Sequence, residues 1–294
     1  GWRYVYYING AIVLVMAVLR VTVVRLHETP KFLVSNKRDT EAVEALQAIA
    51  RKYNRECSLT LDDLESCGEI SSNEDYREAM NLKGTARIVK EHLTTIFSSK
   101  KNVRLAILLF SSWFLLGIAY PLYSSFLPQY LALRGNNISA ATTAGVYRDN
   151  VVSNAACIVG PIIAGLILWL FPIVGRRGVL VIGGLSTMAL LFGYTQVKTH
   201  TQNVVLSSFS YAAIYIYYGC LYAYSPEVMP SSARATGNAI CIACTRIASL
   251  ITPVIAWYAQ VTSPTPIWIC GAFVGVIALE AIFFPYEPSK QRVV

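Results

Sequence analysis

Charged side chains are scarce in this sequence. Only 14% of the residues are Asp, Glu, Lys or Arg, whereas 54% are apolar; an ordinary soluble domain carries about 25% charged residues. The scarcity is greatest outside residues 25–104, where the other 214 residues hold four acidic and 11 basic side chains. An ordinary soluble domain is therefore disfavoured, and the composition favours a chain that lies mostly within a lipid bilayer.

The sequence also lacks the residue groupings on which most enzymes depend. It has no glycine-rich phosphate-binding loop and no paired nucleophile and base. His27, His92 and His200 are far apart along the chain, and the CxxC of Cys241 and Cys244 has no second pair of ligands nearby. We therefore predict no metal site, no cofactor and no enzymatic activity.

Nucleic-acid binding is also disfavoured, although the formal net charge is +8. A nucleic-acid-binding surface needs basic residues clustered with polar or aromatic neighbours. Here the basic residues outside the segment 25–104 stand singly or in pairs between long apolar runs. The expected surroundings are a membrane.

Seven apolar runs of about 20 residues are long enough to cross a bilayer as helices. The runs cover residues 4–24, 104–131, 147–171, 178–197, 204–224, 238–260 and 266–284. They predict an all-α, multi-pass integral membrane protein, located in the plasma membrane or an endomembrane. Seven spans also describe a seven-helix receptor, so the number of spans does not settle the class.

The basic turns predict the orientation, because Arg and Lys concentrate in short cytoplasmic loops. Arg176 and Arg177, then Arg234, then Lys290 and Arg292 fall on one side of the predicted membrane. The long segment 25–103 falls on the same side. The amino terminus is then outside and the carboxy terminus inside.

With this orientation, Asn137-Ile138-Ser139 lies in an outside loop and forms an N-glycosylation acceptor sequence. Such tripeptides also occur by chance, and the loop is short. Glycosylation of Asn137 is therefore left open.

Within the cytoplasmic segment, DTEAVEALQAIARKYN predicts a short amphipathic helix. Acidic residues come early and basic residues late, as the helix dipole favours. Val43, Leu46, Ile49, Ala50 and Tyr53 recur at helical spacing. This helix is expected to pack on its neighbours or on the membrane surface.

The stretch YSPEVMPSSARATG is the most specific motif. Pro226 and Pro230 cannot continue a regular helix, so the chain is expected to leave the membrane here. Glu227 and Arg234 then lie at the cytoplasmic interface, where opposite charges can pair. Taken alone, the motif is also compatible with charges that only flank a turn.

This stretch resembles the PExxPxxxRxxG motif of sugar-porter-like and synaptic-vesicle-protein-like members of the major facilitator superfamily. Three further stretches resemble the same families in the same order: HETPKFLVSNKRDTEAVEALQAIA, VGRRGVL and FPYEPSKQR. Together they cover most of residues 25–292. The seven predicted spans then correspond to family spans six to twelve, and a receptor becomes the weaker interpretation.

The resemblance implies two six-helix halves and transport of a small solute by alternating access. It divides this chain into the last helix of the first half (1–24), a cytoplasmic helical linker (25–103), the second half (104–284) and a cytoplasmic tail (285–294). A transporter-derived sensor, or a membrane homologue that does not transport, would keep the same fold. That alternative stays open.

The resemblance also implies a cytoplasmic gate in which Arg176 or Arg177 pairs with Glu227, beside Arg234. Breaking the pair would shift the population between states. Two departures weaken the match. The residues LWLFPIV before GRR lack the usual acidic residue, and SSWFLLGIAYPLYSSFLPQYL lacks the QQ motif of sugar porters, so hexose recognition is not supported.

The chain begins with Gly rather than Met, so we expect it to be truncated at its amino terminus. Alternating access needs two halves that move about a central site. We therefore expect the fragment alone to be inactive, with the missing amino-terminal half as its protein partner. A small-molecule solute and the lipid bilayer are the other expected partners, and coupling to protons, which would make the protein a symporter, is left open.

Arg246 is the main candidate for the transport pathway. It follows Gly237 by nine residues, or about 13 Å of helix rise, which places it deep in the hydrocarbon layer. A charge at that depth normally faces a partner or a water-filled cavity. The alternatives are a substrate or counter-ion role, a structural pair between helices, and a side chain that reaches the interface.

Other polar residues of the predicted spans extend the pathway. Tyr120, Tyr123, Gln129 and Asn154 are the candidates to line a polar cavity. Helical spacing also puts Tyr211, Tyr215, Tyr218 and Tyr222 near one face, as cavity wall or as packing surface.

Overall fold

The computed structural model describes residues 2–22, 30–35, 38–55, 57–65, 82–133, 143–230, 233–258 and 265–287. Every regular element within these ranges is an α-helix. The chain divides into two compact units, Gly1–Ala86 and Arg87–Val294. The boundary between the units lies inside the segment 25–103 that the sequence predicts as a linker.

Among the described residues, the first unit contains four complete helices. They are α1 (Trp2–Thr22), α2 (Pro30–Ser35), α3 (Asp39–Lys52) and α4 (Leu61–Glu65). The predicted amphipathic helix is confirmed as α3, which has Asp39 and Glu41 in its first turn and Arg51 and Lys52 in its last. It packs on α2, where Leu33 meets Ala42 and Ala45 in a small buried cluster.

In the second unit, the residues that the structure describes form six long helices, preceded by a shorter one. The shorter helix α5 (Leu82–Ile96) begins in the first unit and ends in the second. The long helices are α6 (Lys100–Leu133), α7 (Thr143–Leu170), α8 (Gly175–Tyr194), α9 (His200–Val228), α10 (Arg234–Tyr258) and α11 (Thr265–Ile282).

Seven of the described helices, α1 and α6 to α11, are long and apolar enough to cross a membrane. All seven overlap the apolar runs identified in the sequence. The all-α, multi-pass membrane fold is therefore confirmed. The end of the fifth span differs from the prediction, because α9 continues through Pro226 and ends at Val228. A proline near a helix end removes only one hydrogen bond of the helix.

Close helix contacts in the second unit occur where glycines face the backbone of a neighbouring helix. A Cβ on Gly160 of α7 would lie 2.5 Å from the Ala212 carbonyl oxygen of α9. A Cβ on Gly117 of α6 would lie 2.7 Å from the Thr245 carbonyl oxygen of α10. Small residues allow this spacing, which is how helices in membranes commonly pack.

A hydrogen bond and an aromatic contact stabilise the core that these helices enclose. Trp113 of α6 is fully buried, and its indole Nε1 donates to Ser225 Oγ of α9 at 2.9 Å. Tyr224 of α9 stacks on Phe284, with ring centroids 5.0 Å apart. The packing holds α6, α7, α9 and α10 in place around the cavity described next.

Candidate functional site

A cavity of about 560 Å³ opens between α6, α7, α9 and α10. Its wall is made of aromatic rings, small polar groups, a few apolar residues and one arginine. The lining residues are Trp113, Tyr120, Pro121, Pro161, Tyr215, Tyr218, Gly219, Tyr222, Ile242, Thr245, Arg246 and Ser249. Its size is in the range of small-molecule sites in proteins.

Arg246 lies near the middle of α10, and its side chain is exposed in the cavity wall. Within the described part of the chain, it forms no ion pair. The neighbouring Thr245 ties α10 to α6 by donating its hydroxyl to the Trp113 carbonyl oxygen at 3.2 Å. This contact holds the turn of α10 that carries Arg246 beside α6.

Four tyrosines lie in the cavity wall that faces α10. The Tyr120 and Tyr215 hydroxyls are 3.1 Å apart, which joins α6 to α9. Tyr120 also meets Tyr218 edge to face, with centroids 5.5 Å apart, and Tyr218 stacks on Tyr222 at 6.2 Å. Edge-to-face and offset contacts of this kind stabilise aromatic clusters.

The run of tyrosines predicted to share one face of a helix serves two purposes. Tyr215, Tyr218 and Tyr222 line the cavity. Tyr211, one turn further from them along α9, is buried and packs on Tyr123 with centroids 5.2 Å apart. Both interpretations of the run therefore hold, each for different residues.

The structure brings together two of the five residues predicted for the transport pathway, Tyr120 and Arg246. Tyr123 is 2% exposed and lies behind the cavity, in a core cluster with Tyr194. Asn154 is exposed and donates its amide to the Asn150 carbonyl oxygen at 2.8 Å. The side chain of Gln129 lies outside the described part of the structure.

Both prolines within the predicted spans lie inside helices. Pro161 of α7 contacts the cavity and faces Gly219 of α9, where a Cβ would be 3.1 Å from the Pro161 Cβ. Pro253 of α10 is exposed. Each proline removes one hydrogen bond from its helix.

An ion pair joins α8 and α9 near the predicted cytoplasmic turn. Arg176 Nη2 donates to Glu227 Oε1 at 2.6 Å, and Arg176 Nε lies 2.5 Å from Glu227 Oε2. The first contact is a charge-assisted hydrogen bond, roughly twice as strong as a neutral one, and the second is a close approach of opposite charges. The structure thus brings together the predicted partners Arg176 and Glu227, whereas the gating role stays a prediction.

The other two predicted gate residues do not join this pair. Arg177 Nη2 donates to the Ile282 carbonyl oxygen at 2.7 Å and so binds the end of α11. Arg234 is exposed at the start of α10. Among the residues that the structure describes, Arg234 has no ion-pair partner.

Sequence reasoning missed the role of Glu287. Its carboxylate accepts hydrogen bonds from the backbone N–H groups of Arg176 at 2.9 Å and Arg177 at 3.2 Å. It therefore caps α8 at its positive end, where an anion is favoured. The apolar stretch LWLFPIV before GRR is the one feature of the sequence that points to such a cap, because it leaves these N–H groups without an acidic partner nearby in sequence.

Gly175 makes this cap possible. Its backbone φ is +63°, in the left-handed region that favours glycine, and a Cβ there would lie 2.7 Å from the Glu287 carboxyl carbon. Beside the cap, Tyr224 Oη donates to the Tyr286 carbonyl oxygen at 2.8 Å and Tyr286 Oη donates to Asn102 Oδ1 at 2.9 Å. These bonds tie the segment after α11 to α9 and α6.

Two more acidic residues have partners elsewhere. Glu280 of α11 accepts from the Ser111 and Ser112 hydroxyls of α6 at 2.6 and 2.9 Å. Asp149 of α7 lies 2.6 Å from His200 Nε2 at the start of α9. Neither carboxylate lines the cavity.

Some predicted features cannot be placed. Asn137, Lys290 and Arg292 lie outside the described residues. In the part of the chain that the structure describes, no group of three or more His, Cys, Asp or Glu residues is arranged to hold a metal ion.

Comparison with known proteins gives a family match over nearly the whole chain. The family described as "Sugar (and other) transporter" matches residues 1–291. An uncharacterized MFS-type transporter of Schizosaccharomyces pombe is 34% identical over 99% of this chain and 55% of its own length. The MFS siderochrome iron transporter 1 of Ceriporiopsis subvermispora is also 34% identical, over 99% of this chain and 56% of its own length.

A solved structure matches at the level of fold. The proton:xylose symporter XylE, of the major facilitator superfamily, superposes with a TM-score of 0.64 at 18% identity, over 98% of this chain and 56% of its own. At this identity the likeness is evidence of a shared fold. This chain spans about half the length of the curated relatives it matches.

Proposed function

Because this chain belongs to the sugar (and other) transporter family of the major facilitator superfamily, we propose that it forms part of a secondary transporter for a small solute. In this proposal, residues 1–24 are the last helix of an amino-terminal half and residues 25–103 are a cytoplasmic linker. Residues 104–284 are the carboxy-terminal half, and 285–294 are a cytoplasmic tail. Transport proceeds by alternating access.

The observation that carries the proposal is the cavity between α6, α7, α9 and α10, with a charged side chain halfway along α10. A charged residue in a membrane span is costly and commonly marks a substrate pathway. Arg246 and Tyr120 are the proposed solute contacts. Tyr123 supports the wall from behind, and Gln129 and Asn154 stay proposed members of the outer pathway.

The Arg176–Glu227 pair is the proposed cytoplasmic latch. Its side chains are 26% and 37% exposed, so its contribution to stability is about 0–1 kcal/mol. A bias of about 1 kcal/mol changes the ratio of two conformations roughly fivefold. That is enough to set which state is favoured without locking the protein in it.

We further propose that transport is coupled to protons, as it is in the proton:xylose symporter XylE. Glu280 and Asp149 are the acidic residues within or bordering the second-half spans, away from the cytoplasmic turns. An amino-terminal half could also supply the carboxylate that carries the proton. This part of the proposal therefore depends on measurement of the intact gene product.

The test is accumulation of labelled sugars, organic acids and cationic solutes by cells that express the full gene product. Uptake is measured with and without a proton gradient, and surface expression is quantified in parallel. We expect one class of solute to accumulate, and its accumulation to collapse with the gradient. Uptake that persists without a gradient would refute proton coupling alone.

Failure to take up any solute, despite normal surface expression, would refute transport and favour the sensor interpretation. Glu227→Gln is a useful companion variant, because it removes the latch and leaves the cavity residues unchanged. We expect it to change the rate of uptake but not the preferred solute. A changed solute preference would argue that Glu227 takes part in recognition.

A further inference from the structure

The cavity wall carries a single formal charge, which is positive. Arg246 is the only Asp, Glu, Lys or Arg among the described lining residues. The acidic residues within or bordering these spans are occupied elsewhere. Glu280 accepts from two serine hydroxyls, Asp149 pairs with His200, Glu227 pairs with Arg176, and Glu287 caps α8. A cleft with low-dielectric walls and charge of one sign concentrates ions of the opposite sign.

The rest of the wall is suited to a flat, weakly polar group. Tyr218 and Tyr222 present nearly parallel rings, with an interplanar angle of 24°. Trp113 and Tyr222 meet edge to face, with centroids 4.7 Å apart. Aromatic walls of this kind bind planar groups by stacking and by edge contacts.

A hydroxyl donor lines the same cavity as the charge. It does not come from Ser249, one turn along α10 from Arg246, because the Ser249 hydroxyl already donates to the Arg246 carbonyl oxygen at 2.7 Å. The Tyr120 and Tyr215 hydroxyls form a bonded pair on the facing helices, in which one proton is free for a further acceptor. A carboxylate needs several donors, and guanidinium and hydroxyl groups supply them.

We propose that the cavity binds a small organic anion whose carboxylate pairs with Arg246 and whose planar part lies against the tyrosine rings. The inference rests on the proposed function, since it names the substrate class of the same site. A neutral polyol leaves the guanidinium without a counter-charge. An organic cation is repelled by it, in a cavity whose described wall has no carboxylate to offset the repulsion.

The first experiment measures binding rather than transport. Calorimetry on the purified full gene product in lipid nanodiscs compares benzoate, benzamide and benzylammonium, which share a ring and differ in charge. Cyclohexanecarboxylate keeps the charge of benzoate and removes the planar ring. We expect benzoate to bind about tenfold more tightly than benzamide, since a charge-assisted bond is roughly twice as strong as a neutral one.

Three variants test whether Arg246 causes the preference for benzoate over benzamide. Arg246→Gln should abolish the difference between benzoate and benzamide, and Arg246→Lys should keep part of it because the charge remains. Arg148→Gln is the matched control: its side chain is 72% exposed and lies near Asp149, outside the cavity. It changes net charge equally and should leave the preference intact.

Several outcomes would overturn the proposal. They are equal binding of benzoate and benzamide, tightest binding of benzylammonium, no binding of benzoate, and a charge preference that survives Arg246→Gln. If cyclohexanecarboxylate binds as tightly as benzoate, the proposal that a planar group lies against the tyrosine rings is wrong. If Arg246→Gln lowers the thermal stability, the preference for benzoate over benzamide is compared between Arg246→Lys and the unchanged protein instead. An undiminished preference in Arg246→Lys would then overturn the proposal.

Comparison with uptake separates this inference from the proposed function. Arg246-dependent binding of benzoate in a protein that transports nothing would support the anion site and refute transport. Efficient uptake of a neutral or cationic solute would support transport and refute the anion site.

Discussion

Two carboxylates stabilise the same turn by different contacts. Glu227 binds the side chain of Arg176, so this contact depends on the arginine. Glu287 binds the backbone N–H groups of residues 176 and 177, so its contact would persist if either side chain changed. Substitutions at this turn can therefore separate the effect of the proposed latch from the effect of the helix cap.

Glu227→Gln should lower thermal stability only slightly. The pair is partly exposed, so we expect a loss of less than about 1 kcal/mol in the free energy of unfolding. Thermal unfolding of the detergent-purified full gene product measures it, with Glu227→Asp as the control that keeps the charge. A loss of several kcal/mol would mean that the pair is a structural requirement and not a latch.

Gly175→Ala should be clearly destabilising. The substitution puts a Cβ at φ +63° and within 2.7 Å of the Glu287 carboxyl group, so we expect a loss of about 1–2 kcal/mol. Gly193→Ala in the same helix is the matched control, because its Cβ would meet nothing within 4 Å. Equal melting temperatures for the two variants would contradict the proposed cap.

At the scale of elements, the sequence predicts the spans better than their ends. The apolar run predicts that the fourth span begins at residue 178, whereas α8 begins at Gly175. The sequence places Arg176 and Arg177 in a turn. In the structure both belong to the first turn of α8, because the Glu287 carboxylate, more than 100 residues later, accepts hydrogen bonds from their backbone N–H groups. The spacing of apolar residues indicates which side of a helix faces lipid or protein. It does not indicate that the first turn of α8 is capped by a residue as distant in sequence as Glu287.

The same limit applies to the site. The depth of Arg246 within a span could be predicted from its distance to the helix start. Its proximity to Tyr120 could not, because it depends on the packing of α6 against α10. Tyr123 is only three residues after Tyr120, yet it is buried in the core while Tyr120 lines the cavity. The sequence alone does not show which of the two tyrosines reaches the cavity.

The α7–α9 contact predicts the outcome of another matched pair. Gly160→Ala should destabilise the second unit by about 1–3 kcal/mol, since its Cβ would lie 2.5 Å from a backbone oxygen that has little room to move. Gly165→Ala lies on the same helix and meets nothing within 4 Å. Unfolding temperatures in detergent compare them, and equal values would show that the helices are farther apart.

At the scale of the whole molecule, the proposed arrangement of seven spans with a cytoplasmic linker predicts which surface is reached from each side of the membrane. Cys57 lies in the linker and is partly exposed. In a Cys67→Ser background, a membrane-impermeant maleimide should label Cys57 only after permeabilisation. Cys57→Ser is the control for background labelling, and labelling of intact cells would reverse the predicted orientation.

The cavity contact of Pro161 has a geometric consequence at longer range. Pro161 stands nine residues before the end of α7 at Leu170, or about 14 Å of helix. A bend of about 10° at the proline would swing that end by roughly 2.5 Å. The four residues that follow lead directly to Gly175 and Arg176, so a bend at Pro161, beside the cavity, would displace the helix end nearest the proposed latch.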